Sequence, residues 1–299
     1  MKTLLVLLGP TGVGKTDLSI GIAKAFGTEI ISCDSRQIYK EMRIGTAVPS
    51  SGQLAAVRHH FIQTISVHDY YNSWQFEVQA LERIREFQEK EVVLMTGGSM
   101  LYIDAVCKGI DDIPTISPEL RTGLMEVYER EGLESIRQML KELDPVFYGQ
   151  VDLNNGKRVL HAVEVCCMAG VPYSSLRKNT PKDRGFRIVR IGLNREREEL
   201  YARIDRRVDL MLEEGLEDEA RRLWPLRHLN ALNTVGYKEL FDYFEGKTDY
   251  AEAVRLIKRN SRRYARKQLS WFRRDDDIRW FHPDDYEGIV EAIRLMKIG

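Results

Sequence analysis

The chain has 299 residues, with 45 basic and 45 acidic side chains, so its formal net charge is zero. The length suits one large domain, or a core that carries an inserted subdomain, and the balanced charge excludes a protein that is basic over its whole surface. The four cysteines form no Cys-x-x-Cys pair and no cluster with zinc spacing, which indicates a reducing compartment and argues against a zinc-held fold.

The first third of the chain alternates short apolar runs with helical stretches. Strands are predicted at residues 4–8, 29–33 and 92–95, and helices at residues 15–26 and 75–90. Apolar strands that are joined by helices indicate a parallel sheet covered on both faces. We therefore predict an α/β fold built on a parallel sheet.

The pattern changes in the middle of the chain. Residues 117–178 show helical periodicity without a strand, and a strand is predicted again at residues 187–193. Two long helices, at residues 196–223 and 250–272, and a short strand at residues 277–281 complete the chain. The sheet is therefore predicted to be interrupted by helices and then resumed.

This order predicts a core in two parts with a helical insertion domain between them. The first part of the core is assigned to residues 1–114, the insertion to residues 115–184, and the second part, with a basic C-terminal helix, to residues 185–299. No repeat and no low-complexity segment is present. The core and the insertion need not have the same role.

The apolar start of the chain, residues 1–8, raises the question of a signal peptide. The run is short, lacks a small-residue cleavage site and continues directly into a glycine-rich loop, so it is interpreted as a strand. No stretch approaches the ~20 apolar residues of a membrane helix. We predict a cytoplasmic protein that does not contact a membrane.

The loop after the first predicted strand matches the phosphate-binding pattern G-x-x-x-x-G-K-[ST] in full. Its residues are Gly9, Pro10, Thr11, Gly12, Val13, Gly14, Lys15 and Thr16. Glycines free the backbone amides to surround a phosphate at a helix N-terminus, Lys15 adds a positive charge, and the Thr16 hydroxyl can ligate Mg²⁺. The core is therefore predicted to be P-loop NTPase-like, with nucleotide or diphosphate in this loop.

The loop alone does not identify the phosphate compound. A motor that hydrolyses nucleotides usually has an aspartate after the third strand to hold Mg²⁺, whereas this chain has Thr96-Gly97-Gly98-Ser99 there. This weakens an ATPase or GTPase function. A small P-loop kinase and other users of a diphosphate remain open.

A carboxylate follows the second predicted strand, which we expect beside the first. Asp34 and Ser35 then lie at the carboxyl edge of the sheet, where ligands bind in open parallel sheets. Asp34 is a candidate general base for a nucleophile that attacks near the phosphates. The alternative is that Asp34 or Ser35 only caps the next helix.

The segment of residues 255–268 is basic and contains no acidic residue. Arg255, Arg259, Arg262 and Arg266 recur at helical spacing and share one face. A solvated helix face is the alternative explanation, but no interleaved acid offsets the repulsion, which favours a phosphate backbone as partner. Tyr264 and Trp271 are suited either to stacking on a base or to core packing.

Several segments together resemble the tRNA dimethylallyltransferase (tRNA isopentenyltransferase) family. Some eukaryotic relatives carry a C-terminal zinc finger that this sequence lacks, so the bacterial type is expected. The pairing of D-S-x-Q-x-Y with G-G-[ST]-x-L-Y is the most specific part of the resemblance. The matching segments run in the family's order over nearly the whole chain: residues 9–16, 34–39, 44–47, 97–102, 206–212, 215, 235–237 and 266–273.

The resemblance implies transfer of a dimethylallyl group from dimethylallyl diphosphate to the N6 amine of adenosine 37, beside the anticodon, in tRNAs that read codons beginning with U. It implies that Asp34 is the general base, that Ser99 lies beside the reacting centre, and that Arg207 contacts the diphosphate with the phosphate loop. The tRNA contacts that it implies are Asp34, Ser35, Arg36, Gln37, Ser99 and Arg121.

The chain departs from the family at some of these positions. Serine replaces the usual threonine at Ser99, and the Q-R-[VIL]-x-R-A segment has Lys157, Arg158 and His161 in its place. We expect these three residues to contact tRNA, with altered detail. With Arg262 and Arg266 of the basic helix, they are predicted to clasp the anticodon stem-loop from two sides.

The implied reaction needs Mg²⁺ on Thr16 and a monomer suffices for it. Three other functions stay open at this point. A P-loop small-molecule kinase would turn over ATP without tRNA, and an adenylate isopentenyltransferase would act on free nucleotide and would not need the basic helix. An RNA-binding module with a regulatory nucleotide would bind tRNA without transfer.

Overall fold

The computed structural model describes residues 2–87, 90–178 and 180–298 of the chain. It divides into two compact units. One contains the chain up to Cys107 and from Arg184 onward, and the other contains Lys108–Asp183. The predicted insertion, residues 115–184, covers most of the second unit, and its assignment to tRNA contact stays a prediction.

The first unit is built on six parallel strands in the order β3-β2-β4-β1-β5-β6. The prediction of an α/β fold with a parallel sheet is confirmed. The strands are β1 Thr3–Leu8, β2 Ile30–Ser32, β3 His59–His60, β4 Val92–Gly97, β5 Arg187–Leu193 and β6 Arg279–Phe281.

Two details of the sheet differ from the expectation. β4 lies between β1 and β2. The prediction that the strand preceding Asp34 lies beside the first strand is therefore wrong. β3 was not predicted, because its two residues are too short to give a periodic pattern. The carboxyl end of β4 therefore separates the phosphate loop from Asp34.

Helices cover both faces of the sheet and make up the second unit. Those of the first unit before the insertion are α1 Lys15–Ala25, α2 Ser51–Ala56, α3 Ser73–Glu86 and α4 Met100–Lys108. Those that follow, up to the return to the sheet, are α5 Pro118–Glu131, α6 Leu133–Leu143, α7 Pro145–Tyr148, α8 Gly156–Ala169 and α9 Tyr173–Leu176. After β5 come α10 Arg197–Glu213, α11 Leu216–Leu223, α12 Tyr237–Phe244, α13 Tyr250–Phe272 and α14 Tyr286–Ile298.

One predicted helix is divided and another ends early. The helix predicted at residues 196–223 is two helices, α10 and α11, because Gly215 adopts a φ of 98° that turns the chain between them. The helix predicted at residues 75–90 ends as α3 at Glu86; residues 88 and 89 lie outside the described residues. The predicted helix at residues 250–272 is confirmed as α13.

Each unit has its own apolar core. Leu4, Val6 and Leu8 of β1 point to one face of the sheet, where α3, α4 and α12 cover them, and Leu5 and Leu7 point to the other face, under α1 and α10. The second unit packs separately around Ile136, Leu140 and Val163 and their neighbours. Within the described residues, no helix has an apolar stretch long enough to cross a membrane.

Candidate active site

The phosphate loop lies between β1 and α1, at the carboxyl edge of the sheet. Gly12 and Gly14 adopt φ values of 79° and 108°, which side chains with a Cβ resist, so the glycines shape the loop. The Lys15 ammonium donates to the carbonyls of Gly9 and Pro10 at 2.9 and 2.8 Å. The loop thus holds a cation at the N-terminus of α1, where an anion binds favourably.

Burial and, to a smaller extent, the nearby positive charge of Arg207 lower the pKa of Lys15 to about 8, while Asp34 opposes the shift. The side chain is therefore mostly protonated at neutral pH, but its charge is held at a cost in free energy. A bound diphosphate would relieve this cost, since an adjacent anion favours the charged form.

Helix α10 contributes two arginines to the same loop. Arg207 donates from Nη1 to the Thr11 hydroxyl at 3.2 Å, and Arg203, one turn earlier, donates from Nε to the Gly12 carbonyl at 3.0 Å. Burial lowers the pKa of Arg207, and the charge of Asp34 counteracts this effect. The family resemblance implies that Arg207 contacts the diphosphate, and in the structure Arg207 bonds to Thr11 of the phosphate loop.

Asp34 follows β2 and organises a tight turn. Its Oδ1 atom accepts hydrogen bonds from the amides of Arg36 and Gln37 at 2.8 and 3.2 Å. Asp34 therefore stabilises a turn and does not cap a helix; the next helix, α2, is capped by Ser50, so the alternative of helix capping is wrong. In the described parts of the chain no protein group donates to Oδ2, so the second carboxylate oxygen is available for a proton.

Ser99, at the end of β4, joins this turn to the centre of the sheet. The Ser35 amide donates to Ser99 Oγ at 2.8 Å, and the two serine hydroxyls are 3.1 Å apart. Ser99 is buried, with 7% of its surface exposed. Tyr264 of α13 lies beside it, and burial together with the charge of Asp34 raises the pKa of Tyr264 to about 12.

A single pocket brings the phosphate loop and Asp34 together. This relationship was the main structural requirement of the sequence interpretation, because base and leaving group must share one cavity. The pocket is lined by Lys15, Thr16, Ser19, Ser32, Asp34, Gln37, Pro49, His59, Ile62, Thr96 and Gly97.

His59 is a pocket residue to which the sequence interpretation gave no role. It donates from Nδ1 to the Val57 carbonyl at 2.8 Å, and burial lowers its pKa, so the ring is neutral with Nε2 as an acceptor. The His59-His60 pair was visible in the sequence. What was not visible is that the short strand β3 carries His59 to this edge.

Arg36 and Gln37 are held by the protein itself. Arg36 donates from Nη1 to the Asn230 carbonyl at 3.1 Å. The side-chain Nε2 of Gln37 donates to the carbonyls of Thr46 and Ala47 at 3.0 and 2.9 Å. The bonds to Thr46 and Ala47 hold the Gln37 side chain on the loop of residues 44–47, one of the segments that match the family. It makes Gln37 a rigid element of the pocket wall.

Glu219 stabilises the loop of residues 44–47 through buried hydrogen bonds. Its carboxylate, 4% exposed, accepts from the amides of Arg43, Ile44 and Gly45 at 2.9–3.1 Å and from the Tyr237 hydroxyl at 2.6 Å. Tyr237 lies so close to Gly45 that a Cβ there would meet its ring at 2.6 Å. The family motifs at residues 44–47 and 235–237 thus meet on one buried carboxylate.

Gln268 of α13 joins the phosphate loop to the end of β4. Its Oε1 accepts from the Thr11 amide at 2.9 Å, and its Nε2 donates to the Gly98 carbonyl at 2.8 Å. The sequence interpretation missed this residue. The available signal was a glutamine at a buried position of an otherwise apolar helix face.

The charge pattern of α13 corrects one argument from the sequence. Acidic residues outside the basic segment do offset its charge: Arg262 contacts both oxygens of Asp205 on α10, Lys258 pairs with Asp209, and Arg255 pairs with Glu252. Arg262 is thus already paired, against the expectation that nothing offsets the repulsion.

Other cations of α13 are exposed and carry no ion pair within the described residues. Arg263, Arg266 and Lys267 are of this kind, and they lie three and four residues apart, on one helix face. Tyr264 lies beside them with 37% of its surface exposed. We call residues 263, 266 and 267 the cation face. Its charges are more available to a phosphate backbone than that of Arg262, which is paired with Asp205.

The remaining predicted contacts lie in the second unit. Arg121 donates to the buried Glu164 at 3.0 Å, and His161 Nδ1 lies 3.4 Å from the same carboxylate. Burial would raise the pKa of Glu164, but the bonds from His161 and Arg121 outweigh it and lower the pKa. Lys157 and Arg158 are exposed on α8.

Two groups that suit Mg²⁺, the Thr16 hydroxyl and the Asp34 carboxylate, lie in the same pocket. No group of three or more His, Cys, Asp or Glu side chains suited to a metal occurs among the described residues. Mg²⁺ keeps several waters and is commonly held by one or two protein groups and substrate phosphates. The Thr16 hydroxyl, with Asp34 in the same pocket, meets that modest requirement.

Comparison with known proteins gives one consistent result. A sequence model of the IPP transferase family matches residues 37–275. The tRNA dimethylallyltransferase 2 of Parabacteroides distasonis is 58% identical over 290 residues, 97% of this chain and 97% of that protein.

Solved structures agree. The tRNA isopentenylpyrophosphate transferase of Bacillus halodurans is 33% identical with a TM-score of 0.72, over 99% of this chain and 97% of that one. A eukaryotic dimethylallyltransferase, solved while acting on tRNA, is 25% identical with a TM-score of 0.80, over 96% of this chain and 75% of that one. The resemblance is therefore confirmed, and the chain belongs to the IPP transferase family.

Proposed function

We propose that this enzyme transfers a dimethylallyl group from dimethylallyl diphosphate to the N6 amine of adenosine 37 in tRNAs that read codons beginning with U. The products are N6-isopentenyladenosine and diphosphate. The observation that carries the proposal is the shared pocket, in which Lys15 and Thr16 face the same space as Asp34. The names of the relatives favour a tRNA substrate over a kinase or a free-nucleotide enzyme.

Departure of diphosphate is the step that the phosphate loop supports. The allylic carbon is an electrophile only if the leaving group's negative charge is stabilised. Loop amides, Lys15 and Arg207 supply positive potential at this position. Mg²⁺, when bound at Thr16, would neutralise further charge on the diphosphate oxygens.

Loss of the amine proton is the task of Asp34. The exocyclic amine of adenine is a weak nucleophile, because its lone pair is delocalised into the ring, and it becomes acidic as the new C–N bond forms. Asp34 keeps Oδ1 in the turn to Arg36 and Gln37, which orients Oδ2 to accept this proton. A positioned base contributes a factor of about 10²–10⁴.

The acceptor must reach this pocket as a base flipped out of its loop, because a stacked adenine is inaccessible to an enclosed site. Tyr264 lies at Ser99 with its ring partly exposed, which suits stacking on a neighbouring base. The cation face of α13 suits the RNA backbone. We propose further RNA contacts at Arg121, Lys157, Arg158 and His161 in the second unit. We also propose that the enzyme is monomeric and cytoplasmic.

The experiment combines the protein with radiolabelled dimethylallyl diphosphate, Mg²⁺ and unmodified tRNA. Label in tRNA is the expected result. Label in AMP alone would support an adenylate isopentenyltransferase, and ATP turnover without tRNA would support a kinase.

Asp34→Asn is the matched variant, since an amide oxygen retains the turn but cannot take the proton. Its single-turnover rate should fall by about 10²–10⁴, while its affinity for tRNA stays within a few-fold. Near wild-type turnover would remove Asp34 as the base. Reversing the charges of Lys157 and Arg158 tests the second unit separately, and unchanged tRNA affinity at moderate salt would contradict contact there.

A further inference from the structure

Gln268 lies in the last third of α13 and is almost completely buried, with 2% of its surface exposed. Both ends of its amide are used, and each end contacts a different loop. Oε1 accepts from the Thr11 amide at 2.9 Å, and Nε2 donates to the Gly98 carbonyl at 2.8 Å. A neutral amide supplies one acceptor and one donor together, which neither a carboxylate nor an ammonium can do.

The Gln268 side chain packs closely against the backbone of Gly98. A Cβ at this position would lie 2.3 Å from Gln268 Nε2 and 3.2 Å from the Gly9 carbonyl. The bare glycine backbone therefore lets the amide pack between the two loops. Because the three groups interlock, the amide fixes the separation of the loops as well as bonding to each.

The two loops carry the two halves of the proposed reaction. Thr11 belongs to the phosphate loop, and its hydroxyl accepts from Arg207. Gly98 precedes Ser99, which bonds to the Ser35 amide next to Asp34. The leaving-group side and the proton-accepting side are thus connected through one amide.

The same helix makes a second contact with the β4 end. Tyr264 lies four residues before Gln268, on the same side of α13, and its side chain lies beside Ser99. The exposed side of this part of the helix carries the cation face. Helix α13 thus touches the phosphate loop, Ser99 and, by the proposed function, the RNA.

We infer that Gln268 is a positioning residue of the transfer reaction, which sets the distance between the departing diphosphate and the Asp34–Ser99 side. The inference rests on the proposed function. Small displacements of reacting groups are costly, since a misplacement of about 1 Å can reduce a rate by about 10²-fold. Loss of the bridge should therefore affect the chemical step more than the binding of either substrate.

The test compares Gln268→Met, which has similar volume but neither hydrogen bond, with Gln268→Glu, which retains only the acceptor. Ser270→Ala, exposed on the same helix, is the control. We expect single-turnover rates with saturating substrates to fall by about 10- to 100-fold in Gln268→Met, with KM for tRNA and Kd for inorganic pyrophosphate within about threefold. Gln268→Glu should lose at least as much, because its carboxylate faces the Gly98 carbonyl and the leaving anion.

A purely structural role would give a different pattern. It would lower the urea midpoint but leave the rate per folded molecule within twofold of wild type, and that result would overturn the inference. Failure of both variants to fold would also overturn it, since the residue would then be required for the fold. If the wild-type protein itself does not label tRNA, the proposed function fails, and this inference, which rests on it, fails as well.

Discussion

The Arg207 guanidinium donates to the Thr11 hydroxyl across 3.2 Å, which places a second cation at the phosphate loop besides Lys15. The two positive charges repel each other, and this repulsion contributes to the low pKa of Lys15. The arrangement is unfavourable for the empty loop and favourable once a diphosphate lies between the cations. We therefore expect the loop to prefer compounds with a high negative charge.

Replacing Arg207 by alanine should therefore weaken diphosphate binding. A hydrogen bond to a charged group contributes about 1.5–3 kcal/mol, which corresponds to a roughly 10- to 150-fold increase in Kd for inorganic pyrophosphate by titration calorimetry. Arg206→Ala is the matched control, because Arg206 is the exposed neighbour on the same helix. Equal losses in both variants would show a general charge effect and contradict a specific role of Arg207.

The affinity of the loop for diphosphate should depend on pH through Lys15. Burial depresses its pKa to about 8, so the ammonium is present below that pH and is lost as pH rises through it. The Kd of wild type divided by that of Lys15→Met should rise by up to about tenfold per pH unit above 8. The ratio cancels the ionisation of pyrophosphate itself, and a flat ratio between pH 6.5 and 9.5 would contradict the assignment.

Local features of the site were readable from the sequence. The phosphate loop is a continuous motif, and its contacts between Lys15 and the carbonyls of Gly9 and Pro10 span only a few residues. Helix α13 was predicted with its observed bounds, because its periodicity is sustained over 23 residues. Such features depend on neighbours along the chain, which periodicity and motif spacing report.

The contacts that the sequence did not reveal are long-range. Gln268 and Thr11 are 257 residues apart, and nothing in the local pattern indicates that they meet. The pairing of Arg262 with Asp205 likewise depends on the packing of α13 against α10. The order of the strands, with β4 between β1 and β2, is also set by long-range pairing, which hydrophobic patterns do not encode.

Glu219→Gln should destabilise the first unit. The Glu219 carboxylate accepts from three backbone amides and from Tyr237, and the amide group of glutamine would turn a donor toward at least one of them. A buried donor left unsatisfied costs about 1–3 kcal/mol, so the free energy of unfolding should fall by about 2 kcal/mol or more in urea titrations.

Glu217→Gln provides the comparison on the same helix. Glu217 pairs with Arg221 on the surface, and such pairs contribute only about 0.3–0.5 kcal/mol. If both variants unfold at the same urea concentration, the buried network around Glu219 does not carry the stability assigned to it.

The exposed cations of α13 should dominate its interaction with RNA. Arg266→Ala and Arg263→Ala should each weaken binding of an anticodon stem-loop and reduce the slope of log K against log salt by about 1. Arg262→Ala should change the slope less, because its charge is already matched by Asp205. Fluorescence anisotropy at several salt concentrations measures both quantities.

Arg255→Ala is the appropriate control, since Arg255 lies on the same helix and is paired with Glu252. A change in slope confined to the unpaired arginines would identify the phosphate-contacting face, because only a cation that displaces a counterion contributes to the slope. Equal slopes for all four variants would instead mean that RNA does not use this side of α13. In that case Tyr264, which lies between Arg263 and Arg266, would also lose its assignment as a stacking residue.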